Sequence, residues 1–154
     1  MAGSHEEMAY DLALRSIGQQ EAALDNLRAR TGTLLSAASL STAFLGALGL
    51  KDQALTGGAW IAVGLFVAMG VSSGFVLWPW GWIFGLDTYE VIEEYVDADD
   101  RPTLSLMQRD LAIHIETNLQ SNSARLARLY SAFQAAVLFL FAEIVTWLVI
   151  LARR

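Results

Sequence analysis

Three stretches of the chain are long and apolar, with almost no charge, and polar segments separate them. No charged residue lies between Arg30 and Lys51, so residues 31–50 form a window of 20 residues, long enough to cross a bilayer as a helix. A second charge-free window runs from Gln53 to Leu86. As a single helix its 34 residues would extend about 51 Å, well beyond a hydrocarbon layer of about 30 Å. The second span is therefore placed at 59–77. The segment Trp78-Pro79-Trp80-Gly81-Trp82-Ile83-Phe84 is assigned to the membrane interface, because tryptophan favours the headgroup level and Pro79 disfavours helix at Trp78. A third window, Leu129 to Ala152, contains one charge, Glu143, and its span is set at 131–152. Three such windows leave too little polar surface for a soluble fold to enclose them.

The remaining segments carry helical patterns of their own. Residues 5–30 contain good helix formers and no proline, with Tyr10, Ile17 and Leu24 at seven-residue spacing, flanked by Leu14 and Leu27. This predicts an amphipathic cytoplasmic helix that runs straight into the first span. Its stripe is read as a packing face before an interaction motif. Residues 103–130 predict a second cytoplasmic helix, opening after Asp99-Asp100-Arg101-Pro102, where an acidic cap and a first-turn proline are expected. Its stripe is Leu104, Met107, Leu111, Ile115, Leu119, Leu126, Leu129 and Phe133, with Asn122 filling the one gap. An Asn on such a seam commonly fixes register or subunit number at a cost in stability. Between these helices, residues 78–102 form an interfacial aromatic segment and an acidic connector. Asp87, Glu90, Glu93, Glu94, Asp97, Asp99 and Asp100 are seven of the sixteen acids. A solvated face with Tyr89, Ile92 and Val96 turned inward is preferred there over a site for a cation or a basic partner. A calcium loop is excluded, since Arg101 stands where an oxygen ligand is required and the glycine is missing. The predicted fold is thus a single all-α unit, 1–154, with three transmembrane helices and a cytoplasmic helical bundle.

Composition agrees. Hydrophobic residues make up 55% of the chain, and the mean hydropathy is +0.41, above what a soluble domain of this length needs. A net charge of −6 argues against nucleic acid as a partner. The absence of cysteine excludes disulfides and thiolate chemistry. The polar first 30 residues do not resemble a secretory signal, so they are expected to remain in the mature protein. Arg15, Arg28, Arg30, Arg101, Arg109, Arg125 and Arg128 fall on one side of a three-span topology, with Lys51, Arg153 and Arg154 on the other. That asymmetry predicts a cytoplasmic N-terminus and an external C-terminus.

None of the common nucleotide-binding, hydrolase or metalloprotease motifs occurs, and His5 and His114 have no partners at ligand spacing. The chain is therefore not expected to be an enzyme or to hold a metal or cofactor. Glu143 is the residue that needs explaining, because an ionisable group within a span must be paired, hydrated or neutral. Ser41, Thr42 and Gly70 are expected at a similar depth. In one reading Glu143 is a neutral acid bonded to the hydroxyls of Ser41 and Thr42 as interhelical glue; in the other, copies of Glu143 line a polar pathway through an oligomer. Small residues favour close helix contact: Gly70 and Gly74 form a G-x-x-x-G, and Ser39, Ala43 and Ala47 repeat every four positions. They fit packing within the chain as well as dimerisation.

The order of parts resembles the small bacterial transmembrane effectors of nucleotide-signalling antiphage systems, the Pycsar transmembrane effectors and the neighbouring SLATT-type proteins. Arg30-Thr31-Gly32-Thr33-Leu34-Leu35 is similar to the junction where their first span starts, and Leu77-Trp78-Pro79 with Trp82 and Phe84 to the exit from their second. Arg28 and Thr31 differ from the acidic residue and the alanine usual at that junction. The resemblance implies an inner-membrane effector that receives a cyclic nucleotide or a partner protein's signal and then assembles to compromise the membrane. Arg101, Arg109, Arg125 and Arg128 are candidates for phosphate contact, although positive-inside anchoring explains them as well. The expected function is therefore a homo-oligomeric membrane effector. The alternatives are a non-conducting scaffold that anchors a cytoplasmic partner and, third, a small transporter, for which no internal repeat is found.

Overall fold

A computed structural model of the chain describes residues 5–49, 56–85, 88–96 and 102–153. Every regular element among the described residues is helical: α1 (His5–Gly49), α2 (Gly57–Leu77), α3 (Thr88–Val91), continuing as a π-helical turn (Ile92–Val96), and α4 (Leu104–Ala152). Both α1 and α4 join a polar segment to an apolar one without a break. Proline is absent from both, and the chain's two prolines, Pro79 and Pro102, stand beside helix ends. At the end of α2, Trp78 turns extended (φ −58°, ψ 136°) while its N–H still donates to the Gly74 carbonyl at 2.9 Å, as the residue before a proline is steered to do.

The start of α4 differs from the expectation. The hydroxyl of Thr103 accepts the N–H of Leu106 at 3.4 Å, so a threonine caps the helix. Pro102 precedes that cap rather than lying in the first turn, and Asp99, Asp100 and Arg101 lie outside the described residues.

Residues 1–24 and 80–126 form one compact unit, and residues 25–79 and 127–154 a second. In the first unit Ala13, Ile17 and Ile115 form the core, with Tyr10, Phe84, Ala112 and Leu119 packed against it. Leu14 and Leu104 are exposed, contrary to the predicted stripes. Ala13, one position away from Leu14, takes the inward place beside Ile115. Tyr89 and Ile92, also expected inward, are exposed as well. A four-residue helix followed by a π-helical turn changes the residue spacing, so a 3.6-residue stripe cannot stay on one face. Val96 lies outside the residues whose side chains are described.

The second unit has two apolar clusters. Ala38, Met69 and Ala136 form one, packed by Leu34, Leu35, Phe66, Phe139 and Leu140. Ala59, Ala62 and Trp147 form the other, with Leu45 and Ile150. Helices α1, α2 and α4 are each long and apolar enough to cross a membrane, and only 17%, 22% and 17% of their most apolar windows is buried within the chain. The outward surface carries Leu40, Phe44, Trp60, Ile61, Val71 and Phe141, an apolar surface of the kind that marks a contact with a membrane or another protein.

Burial follows a seven-residue period on both long helices. Ile17, Leu24, Thr31 and Ala38 are buried along α1, and Ile115, Asn122, Leu129, Ala136 and Glu143 along α4. Such a repeat marks a coiled-coil type of seam. The polar members of these series are Asn122, in the first unit, and Thr31 and Glu143, in the second.

Candidate functional site

Glu143 lies inside the second unit with 1% of its surface exposed. The hydroxyl of Thr42, on α1, donates to Glu143 Oε1 at 2.5 Å. The indole N–H of Trp147, one turn further along α4, donates to the same oxygen at 3.2 Å. Glu143 Oε2 is equally buried and has no partner among the described residues. Ser41 is half-buried and makes no hydrogen bond to the carboxyl.

Trp147 completes this arrangement, and nothing in the pattern of charges singles it out. Its four-residue spacing from Glu143 is the signal that could have found it, because residues that far apart share a helix face. The indole needs space, which two glycines of α1 supply. A Cβ on Gly46 would sit 3.7 Å from the ring, and one on Gly49 only 2.8 Å from it. A methyl group at Gly49 would therefore collide with a rigid aromatic edge.

The predicted small-residue positions lie elsewhere. Ser39, Ala43 and Ala47 are exposed, and the Ser39 hydroxyl donates to its own helix at Leu35 O. A Cβ added at Gly70 or Gly74 would meet nothing within 4 Å. Small residues at close contacts include, besides Gly46 and Gly49, Ala38 and Ala136, beside Met69, and Gly58, whose added Cβ would come within 3.2 Å of Ile150.

In the first unit, Asn122 is fully buried and its amide nitrogen donates to Ile83 O at 2.9 Å. Arg125, one of the candidate phosphate ligands, donates to Gly81 O. Together they hold the aromatic segment between α2 and α3 against α4, with Trp82 stacked on Phe84 at 5.6 Å between ring centroids. Gln20 donates to Leu119 O at 3.1 Å. Arg109, Arg125 and Arg128 are exposed, and Arg101 lies outside the described residues. Among the described residues no group of three acidic or histidine side chains is placed to hold a metal ion.

Comparison of the chain with models of known families, with curated proteins and with solved structures finds no match. The functional reading rests on the geometry of these two polar features and on the apolar surface around them.

Proposed function

We propose that the chain is an integral protein of the bacterial inner membrane that assembles with copies of itself and permeabilises that membrane on a cytoplasmic signal. The observation that carries this reading is Glu143, a buried carboxyl with one oxygen unpartnered among apolar helices. A group of this kind is costly to keep in a membrane span, and such residues commonly mark an ion or proton pathway. The outward-facing apolar side chains of α1, α2 and α4 support the bilayer as surroundings, and no catalysis is assigned. A cyclic nucleotide as the trigger and a role in antiphage defence are what the resemblance noted above implies.

The test is ion flux from liposomes containing the purified full chain, with and without a panel of cyclic nucleotides. Flux that rises with one nucleotide, and that is lost in Glu143→Leu at equal protein content, is expected. Silence under every condition would sink the effector reading, and unchanged flux in the variant would remove Glu143 from the mechanism.

A second reading, a non-conducting scaffold, is favoured by a different feature. An open groove of about 570 Å³ in the first unit is lined by Leu12, Ala13, Ala112 and Ile113, with Glu116 and Gln120 at its polar side. Leu12 and Ile113 expose more than half of their surface (62% and 56%), which suits the apolar face of a partner's amphipathic helix. Recovery of a stoichiometric cytoplasmic partner that is lost in Ile113→Asp, together with sealed liposomes, would favour the scaffold.

A further inference from the structure

We infer that Glu143 is a proton-binding site, with the hydrogen carried on Oε2, and that release of this proton is the event that loosens the packing of α1 against α4 around it. The two hydrogen bonds are distributed unequally. Thr42 and Trp147 both donate to Oε1, and none of the described residues donates to Oε2, although both oxygens are buried. An indole nitrogen can only donate, so Oε1 is the acceptor in at least one of these bonds. An ionised carboxylate spreads its charge over both oxygens and offers only acceptors, whereas the neutral acid keeps one acceptor oxygen and one hydroxyl. Two donors on one oxygen leave the other free to carry the hydrogen of the neutral acid, whose O–H then has no acceptor among the described residues.

Among the described residues the surroundings supply no counter-charge; Lys51 and Asp52 lie outside them. Residues 31–49 of α1 and all of α2 contain no Asp, Glu, Lys, Arg, His or Tyr. Along the chain from Glu143 the nearest such groups are Arg153, ten positions on and just past the end of α4, and Tyr130 and Arg128 on α4, thirteen and fifteen back. At about 1.5 Å per residue none is closer than about 15 Å along the helix. A buried charge without a partner is not sustained. The exchange step is simple: the O–H bond at Oε2 breaks, its electron pair stays on the carboxylate, and a water molecule takes the proton as hydronium. The reverse step restores the acid. The resulting anion would sit between Trp147 and the α1 residues that pack on it, where only water can satisfy it, so proton loss draws water among the helices. The assignment of the proton stands on the geometry alone. Its consequence for leakage rests on the permeabilising reading.

Infrared spectroscopy of the full chain in lipid nanodiscs at neutral pH tests the assignment. The carbonyl band of an un-ionised carboxyl, shifted in heavy water, is expected in the wild type and lost in Glu143→Gln, which copies the shape of the neutral acid. Mass spectrometry after treatment with a lipophilic carbodiimide, which adds to the protonated acid, gives an independent readout on the unmodified sequence should the variant fail to fold. Absence of both the band and a Glu143 adduct would overturn the proposal. Triggered proton flux in liposomes tests the consequence, with Glu143→Gln expected to fold as the wild type does and to stay sealed. A leaky Glu143→Gln would overturn proton release as the opening step. A band without wild-type flux would leave the proton site standing and reject the permeabilising reading.

Discussion

Thr42 and Trp147 donate to the same oxygen of Glu143, so each partly compensates for loss of the other. Thr42→Val keeps the side-chain shape and removes one donor. A destabilisation of about 1 kcal/mol is expected, nearer the low values typical of hydrogen bonds between membrane helices than the cost of stranding a buried polar group. Reversible unfolding in mixed micelles measures it, and a loss well above that figure would mean that Trp147 alone cannot hold the carboxyl. Glycine substitutions separate packing within the chain from packing between chains. Gly49→Ala forces a methyl group to within 2.8 Å of the Trp147 ring and should cost about 1–3 kcal/mol, as overpacking does. Gly70→Ala meets nothing within 4 Å and should leave the monomer's stability unchanged or slightly raised, because alanine is the better helix former. If Gly70→Ala nevertheless lowers the oligomer size in cross-linking, the face bearing Gly70 and Gly74 belongs to contacts between copies.

Among the elements, the aromatic segment after α2 depends on two side chains of α4. Asn122 holds Ile83 O and Arg125 holds Gly81 O, while Phe84 packs on the core formed by Ala13, Ile17 and Ile115. Asn122→Ala removes the buried donor, and the segment should become more accessible: chymotryptic cleavage between Trp80 and Phe84 should accelerate while α2 stays intact. An unchanged cleavage pattern would mean that Phe84 and Arg125 suffice. The long helices were legible in the sequence because charge-free windows and seven-residue spacing are both one-dimensional signals, and Ile17, Leu24, Ile115 and Leu129 are buried as their spacing demands. Glu143 stood out for a similar reason, as the one charge in an apolar run. Where a side chain's place depends on a neighbouring helix, the sequence offered less. Ala13 rather than Leu14 packs with Ile115, and Trp147 settles against Gly46 and Gly49 because those glycines leave room. Asn122 occupied its expected seam position, but its bond to Ile83 O joins residues 39 apart in the chain, which periodicity cannot anticipate.

At the scale of the whole molecule, the arginines predict which end faces which compartment. On a three-span topology seven basic residues would lie on one side and three on the other. An excess of that size near the span ends normally stays in the cytoplasm. The acidic connector does not oppose this, because Asp and Glu contribute little to orientation. A phosphatase fused after Arg154 should therefore be active, and a fluorescent protein fused there dark, while a fluorescent protein fused before Met1 should glow. The balance is also open to perturbation. Replacing Arg125 and Arg128 with Gln and adding lysines after Arg154 reduces the difference between the two sides, and a mixed population should appear in which part of the C-terminal phosphatase is silent. An orientation that resists this change would show that the hydrophobic order of the spans, rather than the arginines, determines how the chain inserts. An active N-terminal phosphatase in the wild type would invert the topology and place the groove lined by Leu12 and Ile113 outside the cell, where no cytoplasmic signal could reach it.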